Sequence, residues 1–196
     1  DDCVMRLMKN EFYYWKAKKK GQKDIIFLVG DTQGTSIPSF YSIADKILSF
    51  IQTLGVKKMV TLGGVGLGNV PKSPKVVGVV TSKELVPEYK KYGVVFEMPI
   101  GTIVGAAGIL PTLGKLRGID GVCLMGETHG GYVDAKAAKC ILEVLSKMLN
   151  VNVAVGELDK KAKETEEMIR RFEEMQKAQM PQQQMMPKGE TESYIR

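Results

Sequence analysis

The chain has 196 residues, of which 44% are apolar and 26% are charged, and its formal net charge is +6. This length and composition predict one globular domain of ordinary solubility with a sizeable core, plus an appendage. No apolar run reaches the roughly 20 residues of a membrane-spanning helix, and no signal peptide is recognisable, so we expect no membrane partner.

Cysteine and histidine are scarce. Cys3, Cys123 and Cys140 form no CxxC pair, which argues for a reducing interior and predicts a cytoplasmic location. Because His129 is the only histidine, a zinc site would need an unusual ligand set, and we expect no bound metal.

The first elements in chain order are two short runs of β-forming residues, 3–8 and 11–16, which predict a hairpin turning at Lys9 and Asn10. Five lysines surround Gly21 just beyond them: Lys16, Lys18, Lys19, Lys20 and Lys23. Such a cluster can contact nucleic acid or an acidic protein. Its position between two predicted strands favours a solvated hairpin loop.

A strand–helix–strand unit follows. The continuous apolar run "DIIFLVGD" predicts a strand buried on both faces, as in a parallel sheet. A helix then begins at Ser36, has Pro38 in its first turn and ends at Gly55. With the strand "KKMVTLG" the unit is complete, and we expect it to be right-handed.

The second half of the domain continues the alternation. Further strands are predicted at residues 76–81, 94–99 and 118–127. A helix predicted over residues 101–117 contains Gly101, Gly105, Gly108 and Pro111. A glycine costs about 1 kcal/mol and a proline about 3 kcal/mol in a helix interior. Close packing of its small residues against a neighbour is the expected compensation. Asp134 is the expected N-cap of a helix over residues 135–149.

The chain changes character after residue 156. Residues 157–179 predict a charged helix with a weak heptad pattern, and residues 180–196 predict a flexible, low-complexity tail. The expected organisation is therefore an α/β core domain at 1–156, the charged helix at 157–179 and the tail at 180–196.

The stretch "TLGGVGLG", residues 61–68, holds four glycines and invites comparison with nucleotide-binding loops. A dinucleotide fingerprint fails because its third glycine position falls on Asn69 or Pro71. A P-loop fails because Gly68 is followed by Asn69 and Val70 rather than lysine and a hydroxyl residue. The glycines therefore predict bends at a strand end that allow close backbone approach.

The segment "GETHGGYVD", residues 126–134, gathers polar side chains just past a predicted buried strand, where α/β proteins place active sites. Glu127 and His129 with the nearby Asp134 are candidates for general acid–base work. The alternatives are a cap role for Asp134 and simple exposure of His129. Asp31 raises the same question at the end of an earlier strand, where a turn or cap role is favoured.

Four stretches, taken together and in order, resemble the proteasome assembly chaperone 2 family in its archaeal branch. They are "NEFYYWK", "LVGDTQG", "TLGGVGLG" and "GIDGVCLMGETHGGYVDAKAAKCILEVL". The resemblance spans residues 10–158, and "GETHGGYVDAKAAK" is its most specific part. It implies a three-layer α/β fold with a mostly parallel sheet flanked by helices, like that of nucleoside phosphorylases. Members of the family carry a further strand and helix upstream, so the resemblance implies a fragment or a shortened chain.

The resemblance also implies a function. Family members bind the α-subunit ring of the proteasome core particle and self-associate, which implies a non-enzymatic, ATP-independent chaperone or activator that needs no cofactor. Related activators dock a C-terminal hydrophobic–Tyr–any motif between α subunits. Here Tyr194, Ile195 and Arg196 shift that tyrosine by one position. The alternative is an ATP-grasp-like ligase or nucleoside-processing enzyme that uses Glu127, His129 and Asp134. Nucleic-acid binding through the lysine cluster ranks last, because stacking aromatics are not interleaved with the lysines.

Overall fold

The computed structural model of the chain describes residues 4–97 and 101–179, apart from the side chains of 166, 169, 170 and 172–179. The strands within these residues are β1 (Asn10–Trp15), β2 (Ile25–Gly30), β3 (Lys58–Gly66), β4 (Val76–Val80) and β5 (Asp120–Thr128). The helices are α1 (Ile37–Thr53), α2 (Val86–Lys90), α3 (Ala106–Leu116), α4 (Ala135–Leu149) and α5 (Gly156–Gln179). A short 3₁₀ turn, Lys83–Leu85, precedes α2.

The central sheet has three strands in the order β3-β5-β4. β3 runs parallel to β5, whereas β4 runs antiparallel to it, starting with Val76 opposite Gly126. The fold is therefore α/β with a mixed sheet, and the prediction of a mostly parallel sheet is wrong. The reason is the short connection of residues 67–75, which returns the chain to the same end of the sheet without the crossover that a parallel strand needs.

β1 and β2 form a separate antiparallel ribbon, paired from Asn10↔Gly30 to Trp15↔Ile25. The predicted hairpin of 3–8 with 11–16 is wrong, since the described residues 4–8 form no strand and β1 pairs across the lysine cluster instead. The parallel, doubly buried placement of β2 is also wrong. β2 and β3 lie in different sheets, and Phe27 and Val29 of β2 are about half exposed.

α1 has the predicted boundaries. Ser36 is the N-cap, its hydroxyl accepts from the Ser39 N–H, and Pro38 lies in the first turn. The helix closes at Leu54, and Gly55 follows with φ +71°, a left-handed conformation that glycine adopts without strain.

α3 is shorter than predicted, because it begins at Ala106 after Gly105 turns the backbone with φ +81°. Of the glycines for which close packing is predicted, Gly101 has open space around it, whereas a Cβ on Gly108 would lie 2.6 Å from the Ile103 carbonyl oxygen, in the segment before the helix. The helix also packs on the sheet. A Cβ on Gly121 of β5 would lie 2.5 Å from the Cβ of Pro111, so the helix and the strand are in direct contact. In the predicted strand 94–99, Val95 makes a single bridge to Val77, and residues 98 and 99 lie outside the described residues.

Helices cover both faces of the central sheet. On one face the Thr61 hydroxyl of β3 donates to the Ala107 carbonyl of α3, at 2.7 Å. On the other face α4 lies over β5, and Val122 and Leu124 are buried there with Ile141 and other residues. A second core cluster joins α1 and α3, and Phe12 and Leu28 of the ribbon pack against it.

Candidate functional site

The two glycine-containing motifs of the sequence lie side by side at the carboxyl ends of β3 and β5. The parallel register continues to Gly66↔Thr128. Beyond it, the Leu67 N–H donates to the Thr128 carbonyl at 2.8 Å, and the Gly68 N–H donates to the His129 carbonyl at 3.3 Å. The loop after β3 is thus bonded to the loop after β5 by main-chain hydrogen bonds.

The glycines in these loops allow their backbones to approach. A Cβ on Gly130 would lie 3.1 Å from the Cα of Gly66, and Gly130 itself has φ +91°. A Cβ on Gly126 would lie 2.9 Å from the Ala137 carbonyl oxygen of α4. Of the glycines in residues 61–68, Gly66 makes the predicted close backbone approach, whereas Gly63 and Gly64 lie within β3 beside side chains and Gly68 has open space around it.

Glu127 is the buried carboxylate of this region, with 8% of its surface exposed. Its Oε2 accepts the Lys75 N–H at 2.9 Å, and its own N–H donates to the Lys75 carbonyl at 3.0 Å. The side chain and the main chain of Glu127 therefore both bond to Lys75, which directly precedes β4. A carboxylate engaged in this way acts as a structural clamp between two segments.

His129 directly follows β5 and is half-buried. Its ring stacks on Tyr132 with centroids 5.3 Å apart, and its Nδ1 is buried without a hydrogen-bond partner. Among the described residues it shares no hydrogen bond with Glu127 or Asp134. An acid–base dyad needs such contact within about 3.2 Å, either directly or through one water.

Asp134 occupies the cap position that the alternative interpretation of the sequence predicts, whereas Asp31 bonds a distant segment rather than its own turn. The Asp134 Oδ1 accepts the N–H groups of Lys136 and Ala137 and caps α4. The Asp31 Oδ2 accepts the Lys9 N–H at 3.1 Å, and the Asp31 N–H donates to the Lys9 carbonyl. Asp31 therefore tethers the segment before β1 to the end of β2.

Sequence reasoning missed Cys140, which lies beside the Glu127 clamp. Its thiol donates to the Pro74 carbonyl at 3.3 Å, and burial raises its pKa. Burial also raises the pKa of Cys123, inside β5. Both thiols are therefore held in their neutral, poorly nucleophilic form. No sequence signal marks these contacts, because Cys140 and Pro74 are 66 positions apart.

The described residues also line an open, largely apolar groove of about 410 Å³ between α3 and β4. Tyr41 of α1, Val79 of β4 and Ile103 contribute to its walls. None of the four polar residues singled out in the sequence lines it. The groove and the polar strand ends are therefore separate features of the domain.

The remaining expectations concern metals, membranes and the tail. Residues 4–97 and 101–179 contain no group of three or more His, Cys, Asp or Glu side chains placed to hold a metal ion. No helix within the same ranges is long and apolar enough to cross a bilayer. Tyr194, Ile195 and Arg196 lie outside the described residues.

The mixed sheet with helices on both faces, and the strand-end carboxylates engaged in main-chain bonds, define an α/β domain. The chain belongs to the PAC2 family, whose family model matches residues 1–173.

Three relatives are similar to this chain over most of its length. The structure is similar to that of Pyrococcus furiosus PbaB, an archaeal proteasome activator, with TM-score 0.82 and 40% identity over 88% of this chain and 74% of that one. Pyrococcus furiosus PbaA, an archaeal homolog of proteasome-assembly chaperone, gives TM-score 0.69 and 30% identity over 85% and 67%. The uncharacterized protein MJ1210 of Methanocaldococcus jannaschii is 36% identical over 97% of this chain and 72% of its own length.

Proposed function

We propose that this protein is a non-enzymatic, cytoplasmic assembly chaperone or activator that binds the α ring of the proteasome core particle through its C-terminal tail. The observation that carries the proposal is the likeness to PbaB, at 40% identity and TM-score 0.82. The similarity to PbaA supports a partner of the same kind.

The polar residues at the strand ends support a role without chemistry of its own. Glu127 is occupied by the Lys75 N–H, Asp134 by the first turn of α4 and Asp31 by the Lys9 N–H. A catalytic carboxylate must be free to reach a substrate proton. Carboxylates that hold the backbone together support a binding scaffold instead.

The C-terminal segments supply reach. α5 has 24 residues, which corresponds to about 36 Å of helix at about 1.5 Å per residue. We infer that the following residues act as a flexible linker. Its 17 residues would span roughly 20–25 Å on average. Tyr194 and Ile195 then serve as an aromatic and an aliphatic anchor in a pocket between α subunits.

Self-association would strengthen such a contact. One short tail offers few contacts, and an oligomer of this chain would present several tails to the repeated pockets of a ring. Linked binding events raise the overall affinity by about 10²–10⁴ when the geometry permits simultaneous engagement. We therefore include a homo-oligomer in the proposal.

The test is surface plasmon resonance with immobilised archaeal core particle. The full chain is compared with a chain lacking residues 192–196 and with Tyr194→Ala. Glu192→Ala with Ser193→Ala is the matched control, since it alters the same segment and keeps both anchors. We expect the truncation and Tyr194→Ala to weaken binding at least about thirtyfold, as for an interface hot spot, while the control binds normally.

Two outcomes would count against the proposal. Full binding by the truncated chain would move the contact to the folded body. Absence of binding by the full chain, both to the intact particle and to isolated α rings, would overturn the function itself.

A further inference from the structure

The loop between β1 and β2 displays the strongest local charge among the described residues. We call residues 16–23 the lysine loop. Its lysines (Lys16, Lys18, Lys19, Lys20 and Lys23) are all exposed. None of them forms an ion pair with a described carboxylate, although lysines elsewhere, such as Lys58 with Glu88, do so.

Hydrogen bonds within the loop fix its shape. The Gln22 Oε1 accepts the N–H groups of Lys18 and Lys19 at 3.1 and 3.0 Å. At the base of the loop, Asp24 accepts the Ala17 N–H and the Tyr14 hydroxyl. The hydrogen bond from Tyr14 is the main reason that the pKa of Asp24 lies below its usual value. The attraction of Lys16 lowers this pKa further but less than the hydrogen bonds do, and Asp24 forms an ion pair with none of the described lysines.

The loop is also attached to the body of the domain. The Gln22 Nε2 donates to the Asn150 carbonyl at 2.7 Å, a contact between positions 128 residues apart. Asn150 is the C-cap of α4, with φ 52°. α5 begins at Gly156, six residues later, which an extended chain spans in at most about 22 Å. The lysine loop therefore lies at the end of the domain from which α5 departs.

We propose that the lysine loop is a docking site for an acidic polypeptide surface, and that this surface belongs to the partner that the tail anchors. Like charges crowded into eight residues repel one another, so the loop pays a folding cost that an acidic partner would relieve. Pre-formed, unpaired cations steer an acidic partner and speed its association. The identity of the partner rests on the proposed function, whereas the acidic chemistry rests on the loop alone.

The form of the patch favours a polypeptide over nucleic acid. The five lysines belong to one short loop, whereas proteins that depend on phosphate contacts for affinity engage a run of successive phosphates along the nucleic acid. The loop contains no arginine, the side chain suited to bidentate phosphate contacts.

The experiment uses two charge-matched variants of the full chain. The loop variant carries Lys18→Gln, Lys19→Gln and Lys20→Gln, and the control carries Lys72→Gln, Lys83→Gln and Lys91→Gln, which are exposed and unpaired among the described residues. Association with archaeal core particle is measured at low and high salt. Trp15, the only tryptophan, precedes the loop and reports binding of a decaglutamate peptide or of a ten-nucleotide oligothymidylate by fluorescence.

We expect the loop variant to associate with the particle about tenfold more slowly at low salt, with a weaker salt dependence, and the control to change less than twofold. The peptide should bind wild type and control but not the loop variant. Equal behaviour of the two variants in both assays would overturn the proposal, as would tighter binding of the oligonucleotide than of the peptide. If no variant binds the particle while the peptide still requires the loop, the proposed function fails and the acidic docking site stands.

Discussion

Replacing Glu127 tests whether its carboxylate holds β4 in place. Glu127→Ala removes the acceptor of the Lys75 N–H, at 2.9 Å in a partly buried setting. Leaving such a donor unpaired costs about 1–3 kcal/mol, so we expect the free energy of unfolding to fall by about 2 kcal/mol. For a chain of this size that corresponds to a loss of about 4–8 °C in Tm. Glu127→Gln keeps an acceptor oxygen and should lose about half as much.

Urea unfolding at 25 °C, followed by far-UV circular dichroism, measures these differences. Glu164→Ala is the control, because Glu164 is exposed on α5 and a surface change of this kind stays within about 0.5 kcal/mol. Glu127→Ala with wild-type stability would refute the clamp. Unchanged stability together with lost binding to the core particle would show instead that Glu127 belongs to the functional surface.

Three further changes test individual parts of the domain. Asp134→Ala removes the N-cap of α4 and should cost about 1 kcal/mol in urea unfolding, whereas Asp134→Asn should restore most of it; equal stability of both variants would rule out a capping role. Gly126→Ala places a Cβ 2.9 Å from the Ala137 carbonyl oxygen and should lower the free energy of unfolding by about 1–3 kcal/mol. Gly156→Ala, with open space around it, should stay near wild type, and the reverse order of stability would contradict the packing of α4 on β5. Burial raises the pKa of Tyr89 to about 12, so the unfolded chain loses this proton near pH 10 and the folded one does not. Stability should therefore fall between pH 10 and 12, and the fall should be smaller in Tyr89→Phe; parallel pH profiles would contradict the burial of this hydroxyl.

Elements with local signals could be predicted from the sequence. Ser36, Pro38 and Gly55 mark both ends of α1, and Asp134 marks the start of α4, because caps and helix stops act over three or four residues. At residues 61–68 the absence of a nucleotide-binding motif led to the prediction of close backbone approach, which holds for Gly66.

Strand partners could not be predicted in this way. The apolar run of β2 indicates a strand, but nothing in it specifies β1 as its neighbour or leaves Phe27 exposed. The direction of β4 depends on how the connection 67–75 returns along β5. Pairing is decided by contacts between distant segments, whereas the sequence pattern reports only which residues favour a strand.

The roles of the polar residues in the candidate site could not be predicted from the sequence for the same reason. The sequence brings Glu127, His129 and Asp134 together as neighbours, but their roles depend on what folds against them. The Lys75 N–H that occupies Glu127 lies 52 positions away, and the contact of Gln22 with Asn150 spans 128. No local pattern could reveal either contact.

Photo-crosslinking from position 194 tests the central claim most directly. Tyr194 is replaced by p-benzoylphenylalanine, the chain is irradiated in complex with archaeal core particle, and the adducts are identified by mass spectrometry. Gln183 replaced in the same way is the control. The account predicts adducts with α subunits from position 194 and far fewer from position 183. Adducts with β subunits, or a stable complex that yields no adduct from position 194, would contradict it.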